Sequence, residues 1–97
     1  MLTNFDKKEL LAKARGFTLS IDKMDAKQRM EKPNVNYGND YNNLRTITAR
    51  LYPDLAKLLP PAVSIYRGSE FGDYVEESYG EINTYCEQIY QLLSEHE

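Results

Sequence analysis

Between residues 75 and 93, Val75, Tyr79, Ile82, Cys86, Ile89 and Leu93 recur in alternating steps of four and three. That rhythm follows the 3.6-residue helical turn and puts all six side chains on one stripe of one helix. Asp73 stands ahead of the stripe with Glu76 three residues on, the spacing of a capping box. The pattern predicts a helix from about 74 to 95, with an apolar seam that needs another element to cover it.

A second stripe, Leu10, Ala14, Phe17, Ile21 and Met24, has the same spacing. Asp6 and Glu9 are spaced as a capping box, and Phe5 and Leu10 hold the positions of a hydrophobic staple. The expected helix runs from about 7 to 30 and is ended by Pro33. Gly16 is its weak point, because an interior glycine costs roughly 1 kcal/mol against alanine. The alternation of Phe17, Leu19 and Ile21 leaves a short strand after a broken helix as the competing reading.

Residues 31–43 are rich in Asn, with Gly and Pro, and read as a loop. Asn39 or Asp40 then caps a shorter helix carrying Tyr41, Leu44, Ile47, Thr48 and Leu51. Pro53 either kinks this helix or opens a new piece bearing Leu55, Leu58 and Leu59, which Pro60-Pro61 stops. Residues 62–72 are too short a window to separate a helical turn from an extended linker. The expected fold is all-α: one helical domain over 1–97, a small antiparallel three- or four-helix bundle with two long helices (about 7–30 and 74–95) and shorter middle helices. Long helices with narrow stripes also invite a second copy of the chain, so a homodimer is expected.

Composition narrows the class. Leu, Ile, Val and Phe make up 22 of the 97 residues, enough for a folded but thin core. The single cysteine, Cys86, excludes an internal disulfide and a multi-cysteine zinc site. No basic start leads into an apolar run, and no stretch nears the ~18 apolar residues of a membrane span, so a cytoplasmic protein without a membrane partner is expected.

Charge is segregated along the chain. Residues 1–32 hold eight Lys/Arg and five Asp/Glu, a net +3; residues 33–69 hold four and two, +2; residues 70–97 hold none and eight, −8. An acidic last helix can lie beside a basic first one, or offer a docking face to a basic partner. Phosphates are repelled from that half. A nucleic-acid reading rests instead on the first two helices, with Arg45, Thr46, Thr48 and Arg50 on phosphates and Tyr41 or Tyr52 stacking on bases.

Catalytic groups are sparse. The only histidine, His96, is penultimate, where chain ends fray. Cys86 lies on the apolar stripe and reads as a buried, inert thiol. Glu76, Glu77 and Glu81 cluster, but the Glu-x-x-His pattern of di-metal bundles is missing, and a solvated helix face accounts for them better. Gly68 to Gly72 has no lysine and reads as a turn rather than a phosphate loop. No enzyme activity, metal or cofactor is expected.

Tyrosine and arginine recur at interface hot spots. The residues singled out for partner binding are Tyr66, Arg67, Phe71 and Tyr74. The expected function is a non-catalytic helical module that binds another protein in a regulatory role, with a nucleic-acid-associated accessory factor as the alternative.

Overall fold

Ser78, and not Asp73, starts the last helix: its hydroxyl accepts the Glu81 backbone N–H at 3.3 Å, and α4 runs over Tyr79–Glu95. The computed structural model describes residues 4–70 and 72–96, with side chains from residue 7 onward. The stripe is intact within α4, where Ile82, Cys86, Ile89 and Leu93 are fully buried. Val75, at its head, is equally buried but belongs to a strand. The helix expected from 74 therefore begins five residues later.

The first long helix is two helices. α1 spans Asn4–Asp22 and α2 spans Ala26–Met30. Asp25 closes the gap with a capping box of its own: its carboxylate accepts the Gln28 N–H at 2.8 Å, and the Gln28 side chain accepts the Asp25 N–H at 3.0 Å. Arg29 reaches back across the break to donate to the carbonyls of Met24 and Asp22. Asp6 lies inside α1 rather than ahead of it, and the side chains of Asp6 and Phe5 lie outside those described. Gly16 does not break α1. A Cβ at Gly16 would meet nothing within 4 Å. Gly16→Ala is therefore expected to stabilise the protein by about 0.5–1 kcal/mol through helix propensity, read as a Tm rise of a few degrees. An unchanged or lowered Tm would count against this account of α1.

α3, Val35–Leu51, takes up most of the segment expected to be loop. Asn34 caps it by accepting the Tyr37 N–H at 2.8 Å. Pro53 opens a 3-10 turn over Pro53–Leu55, and the segment left open between helical turn and extended linker contributes a strand: β1 (Ile65–Ser69) pairs antiparallel with β2 (Gly72–Val75). The protein is mostly helical with a small hairpin, so the all-α expectation holds only in part.

Ring contacts fix the helix directions. Tyr37 meets Tyr79, Tyr41 meets Tyr85 and Tyr52 meets His96, so α3 and α4 run parallel. Arg15 lies over Tyr90 and Lys7 donates to the His96 carbonyl, so α1 runs against both. A parallel pair needs the chain to travel back the length of α3, and α3 guides it. Arg45 donates to the Pro60 carbonyl at 2.6 Å, and Tyr41 to the Pro61 carbonyl at 2.9 Å. The Asn42 amide bonds both the N–H and the C=O of Val63, at 2.8 and 3.1 Å. Leu55, Leu59 and Val63 from this return join Tyr41, Leu44 and the α4 stripe in the core.

Candidate functional site

The hairpin is shaped at its turn. Gly68 (φ 68°) and Gly72 (φ 84°) adopt left-handed backbone that side-chain-bearing residues rarely accept. The Asp73 carboxylate accepts the Gly68 N–H at 2.8 Å and holds the turn closed. The register sets Ile65 opposite Val75 and Tyr66 opposite Tyr74. Ile65 and Val75 turn toward Gly38 of α3. Alternation then sends Tyr66 and Tyr74 to the other face, where their rings stack at 5.0 Å and 24°.

Of the four residues expected to bind a partner, the fold brings Tyr66 and Tyr74 into contact. Arg67 follows on β1, exposed, and Phe71 lies outside the described residues. Tyr66 is 45% exposed, while Tyr74 is half-buried with the Lys32 ammonium 5.7 Å over its ring. Lys32 is not among the residues expected to bind a partner; it lies some forty positions away in the chain, and no local signal ties it to Tyr74. Glu70, Asp73 and Glu76 are exposed along the hairpin, and Glu77 accepts the Ser64 N–H at 2.9 Å.

The groups with chemical potential are otherwise engaged. Burial, and secondarily the Glu87 charge, pushes the Cys86 thiol up to about 12, so it stays protonated and inert. His96 is not frayed: its Nε2 lies 2.8 Å from the Asp54 carboxylate and its ring packs on Tyr52. Glu76, Glu77 and Glu81 do not converge with other ligands, and among the described residues no cluster of three or more His, Cys, Asp or Glu is poised to hold a metal ion.

The nucleic-acid surface is corrected in two places. Tyr41 is fully buried and unable to stack on a base; Thr48 is fully buried and donates to the Leu44 carbonyl. Among the described residues, charge complementarity between α1 and α4 takes no paired form either. The ion pairs among the described residues are Arg29 with Asp22, at 3.9 Å, and His96 with Asp54. Among those residues, no helix is long and apolar enough to cross a membrane. No protein family, curated protein or solved structure matches the chain.

Proposed function

We propose that this chain is a non-catalytic protein-binding module that offers its hairpin to a basic segment of a partner protein. The observation that carries this reading is the stacked Tyr66–Tyr74 pair, held in cross-strand register and open to solvent on the Tyr66 side. Rings already fixed by strand pairing lose little side-chain freedom on binding. The open face of Tyr66 suits a guanidinium or ammonium group. Glu70, Asp73 and Glu76, exposed along the same hairpin, favour the same sign of partner and speed encounter. Arg67 adds a planar fork for the partner's carbonyl or carboxylate groups.

The alternative, a nucleic-acid accessory factor, has less support. Arg45, Arg29 and Lys7 spend donors on backbone carbonyls, and Arg15 lies over Tyr90. A cytoplasmic site of action and self-association belong to the proposal as well, the second readable by light scattering.

Affinity capture with the wild-type chain, Tyr66→Ser and Glu76→Lys tests it. The wild type should retain a protein whose binding weakens with salt, and both variants should retain much less of it at unchanged helicity. Equal retention by all three chains removes the hairpin from the reading, and retention of nucleic acid alone favours the alternative.

A further inference from the structure

Between α1 and α3 lies a groove of about 540 Å³ that the protein leaves unfilled, a size within the range of small-molecule sites. Gly16, Phe17, Leu44 and Ile47 make its apolar surface, and Lys13 and Asp40 flank it. Lys13 lies one turn before Phe17, and Asp40 one turn after Tyr37. Because α1 and α3 run in opposite directions, both steps lead the same way from the Phe17–Tyr37 ring contact at 5.1 Å. The two charges thus occupy opposite walls of the same stretch. Among the described residues neither forms an ion pair.

Two further features mark the groove. The bare backbone at Gly16 opens its α1 wall, for a Cβ there would meet nothing within 4 Å. Toward the other end, the Tyr37 ring and Ser20 line the groove, the Tyr37 hydroxyl itself being shut off from solvent.

We propose that this groove binds a small zwitterion with an apolar body, the class to which aromatic α-amino acids belong. The ligand carboxylate faces Lys13, its ammonium faces Asp40, and its ring lies on Phe17, Leu44 and Ile47. An apolar acid lacking the ammonium meets the Asp40 carboxylate unpaired, and an apolar amine lacking the carboxylate meets Lys13. Both half-ligands are therefore penalised by one wall. This site is separate from the hairpin and stands or falls independently of the partner-binding proposal.

Amide NMR titrations with L-phenylalanine, hydrocinnamate and phenethylamine test it directly. The amino acid should shift resonances confined to residues 13–20 and 37–47, with an affinity at least about tenfold above either half-ligand. Gly16→Leu fills the groove and should abolish binding while melting no lower than wild type; Lys13→Met and Asp40→Asn should each weaken binding about tenfold. No localised shift up to the solubility limit, equal binding of a half-ligand, or full binding by Gly16→Leu would each overturn the proposal.

Discussion

Gly38→Leu is expected to pry the hairpin from α3 and destabilise the protein by about 2–3 kcal/mol, the range of overpacking in a filled core. A Cβ at residue 38 falls 2.7 Å from Val75 Cγ2, and 3.5 Å from Ile65 Cδ1 and Val63 Cγ2. The contact at 2.7 Å is the one that must yield, and Val75 is β-branched, stiff at χ1 and fully buried, so it does not swing aside cheaply. Even Gly38→Ala should lose stability, although alanine gains roughly 1 kcal/mol of helix propensity. The sign is thus opposite to that expected at Gly16, in the same kind of helix interior. Urea denaturation of Gly38→Ala, Val75→Ala and the double variant separates the cause. The double variant should lose less than the sum of the singles, because Val75→Ala removes the atom in the way. Strict additivity, or a Gly38→Leu protein with the wild-type midpoint, would show that the hairpin does not bear on α3 as described.

A rise in pH from about 9 to 12 is the second change expected to have a large effect. Burial first, then the Glu87 charge, raises Cys86 from 9.0 to about 12. Tyr37 rises from 10.0 to about 12, chiefly by burial and then by its proximity to Cys86, and Tyr41 is raised by the same two causes. Their folded values lie above the unfolded ones. The stability they contribute is fully present below the unfolded values and is lost as pH climbs toward the folded values. For Cys86 alone the loss is on the order of a few kcal/mol, a large fraction of the roughly 5–15 kcal/mol that holds a small domain folded. Circular dichroism should therefore collapse cooperatively in this window, together with a step in tyrosinate absorbance. Cys86→Ala, though less stable at neutral pH, should show a flatter alkaline profile. An intact fold at pH 12, or a Cys86→Ala profile as steep as wild type, would reject the assignment.

How much of this was legible in the sequence differs by element. The stripe from Ile82 to Leu93 was, because a four-three rhythm has one good explanation and the packed helix confirms it. Val75 shared the rhythm by coincidence of spacing: an isolated residue obeys helix and strand periods alike. The break at Asp25 did have a signal, since Gln28 stands three residues on, but the apolar step from Ile21 to Met24 outweighed it. The start of α3 was masked by Asn and Gly, poor helix formers whose cost is offset by packing at Tyr41 and by the close approach at Gly38. The hairpin was hidden for another reason. Tyr66, Arg67 and Tyr74 were recognisable as interface residue types, but their mutual placement depends on a register set by two left-handed glycines. The parallel course of α3 and α4 depends on side-chain bonds from Tyr41, Asn42 and Arg45 to carbonyls some fifteen to twenty residues on, which no local pattern encodes.

The Asn42 amide does more than guide the returning chain. By occupying both the N–H and the C=O of Val63, it imitates the neighbour that an extended segment would otherwise seek in another molecule. Just ahead of β1, that residue has no free pair of backbone groups to template a foreign strand, the usual first step toward β-rich aggregates. A helix side chain thus satisfies both backbone groups of a residue just before the chain enters the sheet.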